Sequence, residues 1–258
     1  MSQPSGQLRS RWTRVEGLQV HARVSADPAP GSPPVVLVHG IGVATRFMVP
    51  IAELLAPHHP VYAPDLPGFG ASAKPARTLN LVELTDALAG WTREIGLKRA
   101  AFLGNSVGCQ IVADLALRYP DLVERVVLQG PTIDPWARHG LRQIARLLRN
   151  SRREPPSHGL ISAREYVRCG FRRLAKTFRY ALEDRIEEKL PQVRVPALVV
   201  RGSRDPIVPQ GWAEEATRLL PMGRLVVIPR APHTVVYSAP LELSRVVLPF
   251  LSDDVKAR

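Results

Sequence analysis

Residues 100–108, Ala100-Ala101-Phe102-Leu103-Gly104-Asn105-Ser106-Val107-Gly108, hold the pattern on which the reading of the whole chain turns. The apolar run ending at Gly104 has the length and punctuation of a short buried strand, and Val107 to Arg118 has helical periodicity. Between them lies G-x-S-x-G. Gly104 and Gly108 allow a tight strand-to-helix turn that larger side chains would obstruct. Such a turn holds Ser106 above the end of a sheet, over the positive end of the next helix. The pattern alone is weak, because glycine and serine are common residues. Its position between a strand and a helix gives it weight.

Outward from this stretch, further short β-branched runs bounded by Gly, Pro or Asp predict strands. They are Leu18 to Val24, Val35 to His39, Val61 to Ala63, Val126 to Gln129, Ala197 to Arg201 and Leu225 to Ile228. Several are apolar on both faces, as buried parallel strands are. Helical periodicity separates most of them, most clearly at Glu53 to Ala56, Leu81 to Ile95, Ala213 to Leu220 and Leu241 to Leu251. This alternation predicts an α/β fold with a mostly parallel central sheet and helices on both faces. One stretch breaks it. Residues 134–190 carry only helical patterning, interrupted by Pro155-Pro156, so the expected organisation is a core of residues 1–133 and 191–258 with a helical lid of 134–190. Within the lid, Ser162 and Glu165 read as a capping box with Ile161 and Tyr166 as its hydrophobic staple. The helix expected to follow aligns Val167, Phe171, Leu174 and Phe178 on one face, with Arg164, Arg168 and Arg172 on the other.

A nucleophilic serine needs a base, and the base needs a carboxylate to hold its tautomer. Of the seven histidines, His21, His39, His58 and His59 precede Ser106, and His139 and His158 fall in the lid. Only His233 follows the last expected strand. Asp205, on the loop after the Ala197 strand and 28 residues before His233, is the expected acid, with Asp134 as its rival. The Gly-rich loop His39-Gly40-Ile41-Gly42 follows an early strand. Its amides, with that of Val107, are positioned to meet a developing oxyanion. Gly40, Gly42, Asn105 and Phe171 are expected to contribute to the substrate pocket. His39 and Cys109 read as packing residues.

Taken together, His39-Gly40-Ile41-Gly42, Asp65-Leu66-Pro67-Gly68-Phe69-Gly70-Ala71-Ser72, Gly104 to Gly108, Gly202-Ser203-Arg204-Asp205 and His233 resemble the α/β-hydrolase superfamily in its helical-cap branch. The resemblance implies Ser106 as nucleophile, His233 as base, Asp205 as orienting acid, and Ile41 and Val107 as oxyanion donors. It further implies a structural loop around Asp65 and chemistry without a metal or cofactor. A serine at the elbow separates the chain from epoxide hydrolases and haloalkane dehalogenases, which carry aspartate there. Gly104-Asn105-Ser106 is similar to carbon–carbon bond hydrolases of the meta-cleavage type, but Pro232 and Thr234 depart from the Gly and Trp that flank their histidine. A serine esterase is the first expectation and a carbon–carbon hydrolase the second. A non-catalytic sensor or scaffold on the same fold is a third.

Composition bounds these options. The 258 residues are 45% hydrophobic and 22% charged, as in ordinary folded proteins, which excludes disordered, collagen-like and fibrous chains. No apolar run approaches the ~20 residues of a membrane helix. Met1 to Val15 lacks the apolar stretch of a secretory signal, and two cysteines supply no disulfide framework. A cytoplasmic location is therefore expected. The net charge of +12 favours anionic partners, whether nucleic acid, an anionic membrane surface or an acidic substrate, and residues 134–190 hold 14 basic and 7 acidic side chains, a net of +7. No nucleic-acid motif or aromatic interleaving accompanies the arginines, so no specific nucleic acid is expected. The partner is a small-molecule substrate, anionic or aromatic if the lid arginines bind it. Oligomeric state is not legible.

Overall fold

The computed structural model describes residues 7–27 and 31–252. Eight strands form one sheet in the order β1-β2-β4-β3-β5-β6-β7-β8. They are β1 (Leu8–Val15), β2 (Leu18–Ser25), β3 (Val35–Val38), β4 (Val61–Pro64), β5 (Ala100–Asn105), β6 (Val123–Gln129), β7 (Ala197–Gly202) and β8 (Gly223–Ile228). β3 to β8 are mutually parallel, whereas β2 runs antiparallel to both β1 and β4. Every residue of β3, β5 and β7 is buried. That explains their uninterrupted apolar character, since a parallel strand is covered on both faces.

The pleat divides these strands between two cores. Val36, Val38 and Phe102 face α2 (Leu81–Glu94), α3 (Val107–Arg118) and α8 (Gln210–Leu219) through Leu84, Leu88, Ile111 and Trp212. Leu37, Leu103 and Leu198 face α1 (Val49–Leu55), α9 (Val235–Ser238) and α10 (Pro240–Ser252) through Ile51, Leu55, Leu243 and Val247. The expected α/β architecture is thus present. β1 was absent from the sequence-based expectation because Leu8-Arg9-Ser10-Arg11-Trp12-Thr13-Arg14-Val15 is an exposed edge strand with no buried run to signal it. Glu16 and Gly17, at φ 46° and 83°, turn it tightly into β2.

Between β6 and β7 the chain makes a wholly helical excursion: α4 (Gly140–Ser151), α5 (Pro156–Cys169), α6 (Phe171–Glu183) and α7 (Ile186–Lys189). It rejoins the core at its end, where Ile186 and Leu190 are fully buried and Lys189 pairs with Asp114 of α3 at 3.1 Å. Two local expectations are corrected. Ser162 and Glu165 do not cap a helix; both are buried inside α5, which begins at Pro156, a residue pre-set for the first helical turn. Val167 does not share a helix with Phe171, Leu174 and Phe178, because Gly170, at φ 88°, separates α5 from α6. A full capping box occurs instead at the start of α2. There Asn80 Oδ1 accepts from Glu83 N and Glu83 Oε2 accepts from Asn80 N, each at 2.9 Å.

The loop after β4 is held by one buried carboxylate. Asp65 accepts from the amides of Thr45 at 2.7 Å and Ala71 at 2.9 Å and from His21 Nδ1 at 2.9 Å, while its own carbonyl accepts from Ser72 Oγ. Burial alone would raise its pKa; the His21 bond, the His39 ring and the two amides outweigh burial and hold it below the ordinary 3.8. A lowered carboxylate pKa stabilises the fold above 3.8, and that contribution is lost as pH falls through the folded value. Asp65→Ala, which strands several buried donors, is expected to cost about 3 kcal/mol. Differential scanning calorimetry at neutral pH should register a Tm drop of roughly 6–12 °C, shrinking as the pH is taken well below 3.8.

Candidate functional site

The parallel strands end on one edge, and the loops leaving that edge carry the candidate residues, as open α/β sheets arrange their ligand sites. Ser106 sits where β5 meets α3 with φ 55° and ψ −120°, a region costly for a residue with a side chain. Two glycines make the turn possible. A Cβ on Gly104 would lie 2.6 Å from the Gly108 carbonyl, and one on Gly108 would lie 2.4 Å from the Val38 carbonyl oxygen. The turn is closed by Ser106 N donating to Gln129 O and by Cys109 N donating to Ser106 O, both at 2.9 Å. Cys109 is a buried packing residue whose thiol burial pushes up in pKa, with Sγ against the carbonyls of Gly104 and Gln129.

His233 lies on the loop between β8 and α9, fully enclosed, with Nδ1 2.7 Å from Asp205 Oδ2. Asp205 Oδ1 accepts from the amides of Ile207 at 2.7 Å and Val208 at 3.0 Å, so both carboxylate oxygens are engaged. With Nδ1–H given to Asp205, Nε2 carries the lone pair. It is buried, has no hydrogen-bond partner, and its ring lines the same cavity as Ser106. Burial pulls the imidazolium down in pKa, but the Asp205 charge and hydrogen bond, with a smaller contribution from Glu154, bring it above the ordinary 6.5. Asp134, the rival acid, is elsewhere: it accepts from Trp136 N at 3.0 Å and pairs with Arg146 at 2.8 Å. His39 is a packing residue. Its Nδ1 donates to Gly40 O at 2.8 Å, its Nε2 accepts from Leu66 N at 3.0 Å, and burial lowers its pKa.

The cavity beside Ser106 measures about 340 Å³. Gly40, Ile41 and Asn105 line it from the core; Ile144, Leu147, Leu148, His158 and Tyr166 line it from the helical excursion. No arginine or lysine lines it among the described residues. Gly42 is not part of the wall. A Cβ there would run into Tyr166 and Leu174, so its absence admits those side chains. Phe171 also lies outside, exposed at the start of α6 just beyond the Gly170 break. A wider cleft of about 570 Å³ lies beside His21, Asp65 and Arg46, but it contains neither Ser106 nor His233. Among the described residues no cluster of three or more His, Cys, Asp or Glu could hold a metal ion, and no helix is long and apolar enough to cross a membrane.

Four supporting residues escaped the sequence reading. Gln129 Nε2 donates to His233 O at 2.7 Å while its Oε1 accepts from Asn105 Nδ2 at 2.6 Å, linking the elbow strand to the histidine loop. Arg201 donates to the carbonyls of Val208 at 2.7 Å and Asp205 at 3.1 Å, bracing the acid loop. From the excursion, Asn150 Oδ1 accepts from His233 N at 3.0 Å and Glu154 Oε1 accepts from Thr234 N at 2.8 Å. Asn150 Nδ2 bonds Glu154 Oε1 at 2.9 Å, making one polar corner of the two. No motif marks these residues: Gln129, Asn150 and Glu154 reach groups at least 24 residues away, and Arg201 bonds backbone carbonyls that carry no residue identity. A profile of the alpha/beta hydrolase family matches residues 35–246.

The chain belongs to the alpha/beta hydrolase family. A pimeloyl-[acyl-carrier protein] methyl ester esterase of Nitrosomonas europaea is 27% identical over 246 residues, covering 85% of this chain and 96% of the relative. The match to an abhydrolase domain-containing protein of Caenorhabditis elegans, 28% identical, takes in 50% of this chain and only 29% of that protein. Among solved structures, the enol-lactonase from Burkholderia xenovorans LB400 superposes with a TM-score of 0.81 over 94% of this chain and 100% of its own, at 23% identity. The 2-hydroxy-6-oxo-6-phenylhexa-2,4-dienoate hydrolase of a Rhodococcus strain gives 0.76 over 96% and 99%, also at 23% identity. At that identity the structural likeness speaks to the fold. Relatives matched along most of their length carry hydrolase or esterase names, whereas those named 1-acylglycerol-3-phosphate O-acyltransferase match over only 40–42% of this chain.

The imidazole environment makes a prediction independent of activity. In an NMR titration of labelled histidine, His233 is expected to have its midpoint above 6.5. Glu154→Gln removes a nearby negative charge and should move that midpoint down; Asp205→Asn should move it further.

Proposed function

We propose that this protein is a serine hydrolase that cleaves carboxylic esters of small, uncharged acyl or aromatic groups. Its catalytic triad is Ser106, His233 and Asp205, and residues 134–190 serve as the cap over the substrate. The observation that carries the reading is the lone Nε2 of His233. It is buried and unpartnered in the cavity that Ser106 lines, on a ring whose other nitrogen is fixed at 2.7 Å by Asp205. A neutral imidazole in that tautomer is a general base waiting for a hydroxyl proton.

In this reading His233 Nε2 takes the proton from Ser106 Oγ as the oxygen attacks the ester carbonyl. The tetrahedral oxyanion rests on the amides of Ile41 and Val107, where two aimed donors matter by ~3 kcal/mol each. His233 then protonates the leaving alcohol, and the same nitrogen activates water to release the acyl group from Ser106. Asp205 stays ionised and stabilises the imidazolium formed on the way. The wall argues for the acyl chemistry. Ile41, Val43, Phe47, Ile144, Leu147 and Leu148 offer apolar contact, and no cationic side chain is present to receive a carboxylate. That disfavours the anionic ring-fission products taken by carbon–carbon hydrolases of the meta-cleavage type, and it removes the lid arginines from the role of gripping a substrate anion. No step calls on a metal or cofactor.

A fluorophosphonate probe should label the protein at Ser106, and Ser106→Ala should abolish labelling. Labelling that survives the substitution would assign the nucleophile elsewhere, and none in the parent chain would favour a non-catalytic binding role for the fold. With p-nitrophenyl esters, Asp205→Asn is expected to lower kcat by about 10⁴-fold with little change in KM. Neutral acyl esters should be turned over faster than esters bearing a free carboxylate.

A further inference from the structure

Large hydrophobic side chains are unevenly exposed in this molecule. Eleven stand out of the surface among the described residues, and seven of them fall between Trp136 and Phe171. Two stripes account for six. Leu141, Ile144 and Leu148 follow i, i+3, i+7 along α4; Leu160 and Val167 lie seven apart on α5, with Ala163 between them and Phe171 beyond the Gly170 break. Leu141, Leu160, Val167 and Phe171 are 70–84% exposed. Both stripes reach the mouth of the cavity: Ile144 and Leu148 line it from α4, Gly159 and Ala163 from α5, and all four are exposed.

The exposed charges on α4, α5 and the start of α6 are of one sign. From Pro135 to Leu182 the chain carries 12 basic residues and two acids, and both acids, Glu154 and Glu165, are buried. Arg142, Arg149, Arg152, Arg164, Arg168 and Arg172 are exposed, and none is ion-paired with a carboxylate among the described residues. A surface of exposed aliphatic side chains set among unpaired arginines has the composition of an interfacial amphipathic helix. Its apolar side enters the acyl boundary while its cations meet acidic headgroups. A rigid protein partner would have to match each protrusion with a recess, whereas a fluid lipid surface accommodates them without prior shape.

We infer that α4, α5 and the start of α6 form a docking surface for an anionic lipid membrane, with the mouth of the Ser106 cavity facing the bilayer. Docking itself stands apart from the catalytic reading. Only its consequence, that an amphiphilic ester can pass from the bilayer into the cavity without crossing water, rests on Ser106 being the nucleophile.

Co-sedimentation with vesicles tests the surface without any turnover. The protein should bind vesicles of equimolar phosphatidylglycerol and phosphatidylcholine, bind pure phosphatidylcholine poorly, and release as salt is raised. Ser106→Ala should bind like the parent chain, so failure of the catalytic proposal leaves this one testable. Leu141→Asp/Leu160→Asp/Val167→Asp changes only exposed positions outside the cavity wall and should weaken partition about tenfold or more with an unchanged Tm. Arg149→Gln/Arg152→Gln/Arg164→Gln should weaken it and flatten the salt dependence. Absence of binding to the anionic vesicles would overturn the inference, as would binding that neither triple variant reduces. Capture by an acidic protein with no vesicle binding would also overturn it, assigning the face to a protein partner.

Discussion

The turn that carries Ser106 is a steric bargain among three backbones. β5, α3 and the end of β3 approach so closely that Gly104 faces the Gly108 carbonyl and Gly108 faces that of Val38. A non-glycine residue at positive φ between them stores about 1–3 kcal/mol of strain. Two hydrogen bonds at 2.9 Å, a buried strand and a packed thiol hold it there. The position of every other candidate group is meaningful only relative to that fixed point: the Gly40–Ile41 loop because β3 runs beside β5, and the Asp205 and His233 loops because β7 and β8 follow across the same edge.

What converts neighbouring loops into a site is a set of cross-links that the sheet does not itself supply. Asn105, Gln129 and the His233 carbonyl form a chain from β5 through β6 to the histidine loop. Arg201 holds the acid loop by two of its carbonyls, and the Asn150–Glu154 corner holds the amides of His233 and Thr234. Loops are the mobile parts of such folds, and chemistry placed on them needs this second layer of support.

Much of the fold, and the candidates for the site, are legible in the order of residues for physical reasons. Buried parallel strands such as β3, β5 and β7 announce themselves because they are apolar on both faces. Ser106, Asp205 and His233 stand out because strand ends, glycines and chain order confine the choice. β1 gave no such signal, being an exposed edge held by backbone pairing to β2. The α5 boundary was misjudged because Ser162-x-x-Glu165 imitates a cap while the true start is fixed by Pro156. Apolar periodicity runs unbroken through Gly170 and so groups Phe171 with Val167, whereas the glycine at φ 88° ends one helix and starts another. Asn150, Glu154, Gln129 and Arg201 left no trace, since each makes its contact with a backbone group that any residue could provide.

The Asn150–Glu154 corner couples two properties that are separable in principle. It sits where α4 ends and α5 begins, so the joint between these helices and the anchor of the imidazole are the same few atoms. Substitutions further along α4, at Ile144 or Leu148, reshape the cavity wall without touching that corner. Lengthening, shortening or shifting the link between those helices detaches the base. The shape of the cavity can therefore change through the helix faces, while any change at the joint between them also displaces the imidazole.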